Sequence, residues 1–111
     1  MISKRSDSLR ILDILNECEI VENVLQKGDA YFQNDVHVKR SILHALQVIG
    51  ECAHSISDDL KKNNPDIPWL QMEKIRHLIV HHYYNLRWDI VWETAKNDIP
   101  SLKEKLLKLK L

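Results

Sequence analysis

The most restrictive feature of this sequence is its shortage of turn-forming residues, since 111 residues include only two glycines and three prolines. A fold of many short strands needs a turn about every 8–12 residues, made largely with Gly, Pro, Asn and Asp. The chain cannot supply so many turns, which excludes an all-β fold. Long helices with few connections remain, so we predict an all-α protein.

Length and composition narrow the class further. A chain of 111 residues fits one domain, which we expect to span residues 1–111, and a 44% apolar fraction is enough for a core. Sixteen basic and sixteen acidic residues argue against a protein that binds nucleic acid through bulk charge. No segment is apolar enough for a signal peptide or a membrane span, so we expect a cytoplasmic protein without membrane partners.

Apolar residues recur with a period near 3.6, which predicts four long helical segments. They cover about residues 7–27, 35–62, 69–82 and the chain from about 85 onward. Gly28 is placed to end the first helix, Pro65 follows the second, and Pro100 predicts a break before a last short helix. Tyr31 and Phe32 fall in a connection. The expected architecture is an antiparallel bundle of four to five helices.

The densest chemistry lies at residues 77–84, which hold three of the six histidines and two of the three tyrosines. Glu73, His77 and His81 are spaced by four residues and share one helix face. Arg76 and His81 lie about 140° apart around a regular helix and cannot meet on it. Their cooperation would need a distorted helix or a second copy of the chain. Tyr83 shares the face of Arg76 if the helix continues that far.

Three interpretations of this cluster are open. In the structural one, Arg76 pairs with a carboxylate such as Glu73 or Glu51, and the histidines are half-buried and hydrogen-bonded. In the second, His77, His81 and Glu73 bind a metal. The flanking residues match neither His-Glu-x-x-His nor the Glu-x-x-His pairs of di-iron bundles, so we predict no metal and no cofactor.

The third interpretation is RNA cleavage without a metal. This reaction needs a base for the 2′-hydroxyl proton, an acid for the leaving oxygen and a cation for the charge that develops on phosphorus. Histidine suits the first two tasks because its pKa lies near neutrality. Arginine suits the third because its planar fork binds phosphate oxygens in pairs. Arg76 and His81 are residues of these two types.

Other residues fit less specific expectations. We expect Trp69, Trp88 and Trp92 to pack in the core or an interface, and Gly50 to mark a close approach of two backbones. Cys18 and Cys52 occupy apolar positions of helical patterns, which predicts buried thiols. A basic rim for RNA is available from four side chains, Lys61, Lys62, Lys74 and Arg87.

Five segments follow one another in a characteristic order. They are Ile49-Gly50-Glu51, Pro65-Asp66-Ile67-Pro68-Trp69, Arg76-x4-His81-x-Tyr83, Trp92 and Ile99-Pro100-x-Leu102. With this set the chain resembles the HEPN superfamily, and within it the HepT toxins of HepT–MntA toxin–antitoxin modules, over nearly its whole length. One departure is His77, where HepT proteins commonly have Asn. Other branches of the superfamily accept a polar residue there, and we assign His77 a supporting role.

The resemblance implies an all-helical homodimer with a metal-independent ribonuclease site, acting on tRNA or mRNA, in the cleft between two copies. Arg76 would bind the scissile phosphate and His81 would act as general acid or base. From its position beside Gly50, Glu51 either orients one of these two residues or is an ordinary surface carboxylate. Tyr83 would accept AMP from an MntA nucleotidyltransferase antitoxin, which adds negative charge and bulk beside the cleft. The alternative is a helical dimer without enzymatic activity that binds such a nucleotidyltransferase or serves as its substrate.

Overall fold

The computed structural model describes residues 6–109, and every regular element among them is helical. The six α-helices are α1 (Asp7–Lys27), α2 (Asp29–Asn34), α3 (Val36–Ser55), α4 (Asp58–Asn63), α5 (Trp69–His82) and α6 (Trp88–Leu107). A 3₁₀ turn, Tyr83–Asn85, connects α5 to α6. The all-α prediction is confirmed. None of these helices is long and apolar enough to cross a membrane.

The four long helices pack side by side as a bundle. The Nη1 atom of Arg10, in the first turns of α1, donates to the carbonyl of Ser55 at the end of α3, so these helices run antiparallel. His54 near the end of α3 likewise meets Glu73 near the start of α5. On the other side of α1, Lys103 of α6 reaches Glu22 at 3.0 Å. α3 therefore lies between α1 and α5, and α1 contacts both α3 and α6.

The core is a single apolar cluster to which all the long helices contribute. Its most completely buried side chains include Ile14, Cys18 and Val21 of α1, Ile42 and Ile49 of α3, and Ile99 and Leu106 of α6. Phe32, predicted in a connection, lies in the short helix α2 instead and is fully buried. Its ring stacks on Trp92 with centroids 4.7 Å apart, so α2 closes one end of the bundle.

The second predicted helix is interrupted, which corrects the single helix over residues 35–62. α3 ends at Ser55, and α4 begins at Asp58. At the break the Ser57 N–H donates to Asp7 Oδ1 at 3.0 Å, and the Ser57 hydroxyl accepts from the N–H of Leu60 at 3.3 Å. Asp7 of α1 and the hydroxyl of Ser57 itself thus bind backbone N–H groups that a continuous helix would have bonded internally.

The predicted break at Pro100 is wrong, because α6 continues through it from Trp88 to Leu107. The helix also begins three residues later than residue 85, since the 3₁₀ turn precedes it. Proline removes one helical N–H and costs about 3 kcal/mol in a helix interior. Ile99 and Leu102 on either side of Pro100 are 2% and 3% exposed, so burial against the bundle offsets that cost.

The start of α5 is fixed by the two-proline linker before it. Ile67 in that linker is buried, and the indole N–H of Trp69 donates to the carbonyl of Asn64 at 3.0 Å. Trp69 and Trp92 are 7% and 8% exposed and Trp88 is half-buried, which confirms that the tryptophans pack in the protein. These contacts set where along α3 the residues of α5 lie.

Candidate functional site

Helix α5 carries the predicted cluster and buries one side against the bundle. Trp69, Met72 and Ile79 form its buried face, while His77 and His81 are exposed. All six histidines of the chain are exposed, so the half-burial that the structural interpretation assumes for the cluster is not found. The imidazoles are therefore accessible to a ligand from solvent.

Gly50 brings α5 unusually close to α3. A β-carbon at this position would lie 2.7 Å from the carbonyl oxygen of Met72 and closer still to Cβ of Arg76. Real Cβ atoms essentially never approach so closely, so only glycine fits without a shift of the helices. The predicted close approach of two backbones is found, and the residue approached is Arg76.

Glu51, the next residue of α3, contacts the guanidinium of Arg76, whose side chain starts beside Gly50. Glu51 Oε2 lies 2.5 Å from Arg76 Nε, which is buried, so the carboxylate and the guanidinium form an ion pair. The Arg76 side chain nevertheless keeps 38% of its surface exposed. Because its base packs on Gly50 and Nε is buried, the exposed part is mainly its outer end. Of the two carboxylates considered for Arg76, Glu51 is the partner.

His77 and His81 form a pair on the outer face of α5. Their ring centroids lie 4.2 Å apart with the ring planes tilted by 44°. The spacing of four residues predicts this contact, because such residues are neighbours on a helix surface. Two accessible imidazoles thus occupy one small patch.

Arg76 and His81 are not brought together within one chain. α5 is helical through both residues and ends only at His82, so it has no distortion that would rotate one side chain toward the other. The two side chains therefore project on different sides of the helix, about 140° apart. Of the two ways of combining them, the distorted helix is excluded.

Tyr83 lies beyond the end of α5, in the 3₁₀ turn, so the shared face with Arg76 does not extend to it. It is 47% exposed, and the next residue, Tyr84, is 94% exposed. The two rings meet edge to face with centroids 5.4 Å apart. Both phenols are therefore available at the surface, two and three residues after His81.

Glu73 belongs to a different cluster from the one that its spacing predicts. Its Oε1 atom lies 3.1 Å from His54 Nδ1 and 3.4 Å from Lys61 Nζ, which joins α3, α4 and α5. Within residues 6–109, no three His, Cys, Asp or Glu side chains are placed to hold a metal ion. Sequence reasoning missed this cluster, because only the break between α3 and α4 brings Lys61 within reach of Glu73.

The expected basic rim is weaker than its sequence indicates. Lys61 is occupied by Glu73, and Arg87 lies 2.7 Å from Asp89 Oδ2. Next to Arg87, between α5 and α6, is an apolar groove of about 240 Å³. Leu78 and Ile90 line it and remain 53% and 52% exposed. This face therefore offers more apolar surface than positive charge.

Comparison with known proteins identifies the family of the chain. The profile described as "Ribonuclease HepT-like" matches residues 14–109. A protein of Thermococcus cleftensis named "Probable ribonuclease HepT" is 34% identical over 110 residues, which covers 96% of this chain and 98% of the relative. A Methanocaldococcus jannaschii protein named as a "Putative RNase" is 31% identical over 107 residues, which covers 96% of this chain and 92% of that protein. No solved structure matches the chain significantly.

The family match spans most of the chain and includes every residue of the site described above. The relatives match over nearly their full lengths, so the likeness is not confined to one motif. The chain therefore belongs to the HepT-like ribonuclease family.

Proposed function

We propose that this protein is a metal-independent endoribonuclease and the toxin of a toxin–antitoxin pair. One structural observation carries the proposal. α5 presents an accessible arginine, Arg76, and an accessible histidine, His81, on different sides of one regular helix. A phosphate-binding cation and a proton-transfer group are two kinds of side chain that RNA cleavage without a metal uses.

Arg76 is the proposed phosphate-binding residue. Its Nε is turned toward Glu51, so the outer N–H groups at the exposed end are those that meet two oxygens of the scissile phosphate. His81 transfers a proton to or from the reacting oxygens. Glu51 is a positioning residue, because it limits the directions in which the guanidinium can point.

The site is composite in this proposal. Since Arg76 and His81 of one chain face different sides of α5, a second copy supplies the complementary group. The exposed Leu78 and Ile90 beside the groove support such a homodimer, because apolar side chains on neighbouring helices are the surface that association would bury. The substrate, tRNA or mRNA, lies in the cleft between the copies.

Incubation of purified protein with tRNA and mRNA in the presence of a chelator tests the proposal. Wild type is expected to cleave RNA, while Arg76→Gln and His81→Asn lose about a hundredfold or more of the rate. His37→Asn is the matched control, since His37 is also exposed but lies in the first turn of α3 and not on α5. Cleavage that requires a metal, or full activity of His81→Asn, would contradict the assignment.

Tyr83 is the proposed AMP acceptor for an MntA-type nucleotidyltransferase. Its 47% exposure makes the phenol accessible beside the imidazoles, and a phosphodiester there would place negative charge where RNA binds. Intact mass after incubation with the transferase and ATP should rise by multiples of one AMP residue. Tyr83→Phe should abolish the increase, and Tyr84→Phe, the matched control on the neighbouring phenol, should leave it.

A second function, a dimer that only binds the nucleotidyltransferase, is favoured by the weak basic rim around Lys61 and Arg87. It predicts the same mass increase without any RNA cleavage by the unmodified protein. The cleavage assay therefore separates the two functions, and the mass measurement alone does not.

A further inference from the structure

The pair formed by His77 and His81 has a geometry that a single catalytic histidine does not need. The two rings are in contact, with centroids 4.2 Å apart, and both side chains are exposed. The nearest carboxylate one turn before them, Glu73, is held by His54 and Lys61 instead. Glu73 therefore pairs with His54 and Lys61 and not with His77 or His81.

Cleavage of RNA by its own 2′-hydroxyl involves two proton transfers at neighbouring oxygens. A base takes the 2′-hydroxyl proton as the 2′-oxygen forms a bond to phosphorus, and the bond from phosphorus to the 5′-oxygen breaks as an acid protonates that oxygen. The products are a 2′,3′-cyclic phosphate and a free 5′-hydroxyl. The base ends protonated and the acid ends deprotonated, so no other reactant is needed.

We propose that His77 and His81 of the same protomer are the two proton-transfer groups of this reaction. The inference rests on the proposed function and deepens it, because it makes His77 a catalytic residue. In an in-line displacement the attacking and leaving oxygens flank one phosphorus atom. Because these two oxygens are close together, two imidazoles in contact on one helix face can each reach one of them.

The proposal also divides the site between the two copies. One protomer contributes both imidazoles from the outer face of α5, and the other contributes the guanidinium of Arg76, which faces a different side of the same helix. The arrangement differs from one in which each copy supplies a single histidine. In that second arrangement His77 would transfer no proton.

Replacement of His77 by Asn tests the proposal, because Asn keeps polarity and removes proton transfer. His77→Asn is expected to slow cleavage of ordinary RNA by about a hundredfold or more, as His81→Asn does. His37→Asn is the matched control. The helix content by circular dichroism and the melting temperature of the two site variants should stay close to those of wild type, since both side chains are exposed. His77→Gln repeats the test with a residue of higher helix propensity.

A substrate with sulfur in place of the bridging 5′-oxygen gives a readout that a structural role would not move. A thiolate leaves without protonation, so the variant that lacks the acid recovers most of its rate on this substrate. The variant that lacks the base does not recover. We expect recovery for one of His77→Asn and His81→Asn and not for the other, which also identifies the acid.

The possible failures are distinguishable. A His77→Asn protein within tenfold of wild type, or recovery of neither or both variants on the sulfur substrate, overturns the paired-histidine inference and leaves the ribonuclease proposal standing. A wild-type protein that cleaves no RNA in the presence of chelator overturns the ribonuclease proposal and this inference together.

Discussion

The contact of α1 with α6 and the contact of α3 with α5 are built in opposite ways. Between α1 and α6 the space is filled by apolar side chains, among them Cys18 and Ala95, with one ion pair between Glu22 and Lys103 at its edge. Between α3 and α5 a glycine lets the backbones approach, and charged side chains gather along the outer edge.

The contact of α1 with α6 mainly stabilises the fold, whereas the contact of α3 with α5 mainly positions the candidate site. The filled contact has few polar groups to satisfy and supplies most of its free energy by burial of apolar surface. The close contact holds one guanidinium against a carboxylate, while the histidines of α5 stay at the surface. Substitutions in the first region should therefore change mainly the free energy of unfolding, and substitutions in the second should also change the rate of RNA cleavage.

Phe32→Ala should have the largest effect. The ring is fully buried and stacks on Trp92, so its loss should lower the free energy of unfolding by about 3–5 kcal/mol in urea denaturation. Tyr31→Ala is the matched control, since that neighbouring aromatic ring is 38% exposed and should cost about 1 kcal/mol or less. Equal losses for the two variants would contradict the assignment of α2 as the closed end of the bundle.

Gly50→Ala should break the close contact. Ala normally stabilises a helix by about 1 kcal/mol relative to Gly. Here the added carbon would meet Met72 and Arg76, so we expect a loss of about 1–3 kcal/mol in the free energy of unfolding and slower RNA cleavage per folded molecule.

Gly28→Ala is the control for that experiment. Gly28 has nothing within 4 Å of an added β-carbon, but its φ of +92° favours glycine. We expect a loss of about 1–3 kcal/mol in stability with the cleavage rate per folded molecule unchanged. If both variants lower the rate per folded molecule equally, the effect is not specific to the position of Arg76.

The buried thiol of Cys18 should make the filled contact sensitive to alkaline pH. Burial, with smaller contributions from nearby charges, raises the pKa of Cys18 to about 12 from 9.0. Above pH 9 the thiol ionises in the unfolded chain and not in the folded one, so stability falls as pH rises until the folded pKa is reached. At pH 10 the loss should be about 1 kcal/mol relative to pH 8.

The comparison for that measurement is Cys18→Ala, followed over the same pH range. It lacks the thiol and should lose less stability between pH 8 and pH 10 than wild type does. Parallel curves would show that other groups, such as Lys103, account for the alkaline loss.

Glu51→Gln should have the smallest effect on stability and a clear effect on chemistry. Glu51 is 59% exposed, and ion pairs at such sites contribute about 1 kcal/mol or less. Loss of its charge frees the guanidinium of Arg76, so cleavage should slow by about tenfold to a hundredfold. Glu104→Gln, which removes an exposed partner of Lys108 on α6, is the matched control and should leave cleavage unchanged.

The helix boundaries that depend on nearby residues were predictable from the sequence. α1 ends where Gly28 adopts a positive φ, and α5 occupies the predicted residues after the two-proline linker. The break at Ser57 was not predictable, because its hydrogen bonds come from Asp7 on another helix, fifty residues away in the chain. The continuity of α6 through Pro100 likewise depends on burial, which local preferences do not encode.

The candidate site was partly predictable, because some of its features depend on nearby residues and others on contacts between helices. Helical spacing alone places His77 beside His81, and the family resemblance selects Arg76 and His81 from the many polar residues. The pairing of Arg76 with Glu51 instead of Glu73 depends on how α3 and α5 align. That alignment is set by Gly50 and by the anchoring of Trp69, which are contacts between elements.

The anchored indole of Trp69 also supplies an optical marker for this side of the molecule. Trp69 sits at the first residue of α5 and donates to Asn64, whereas Trp88 and Trp92 lie on α6. In a chain whose α6 tryptophans are replaced by phenylalanine, emission would report the docking of α5 alone. Separate loss of that signal during denaturation would reveal that the helix carrying the candidate site detaches while the rest of the bundle stays assembled.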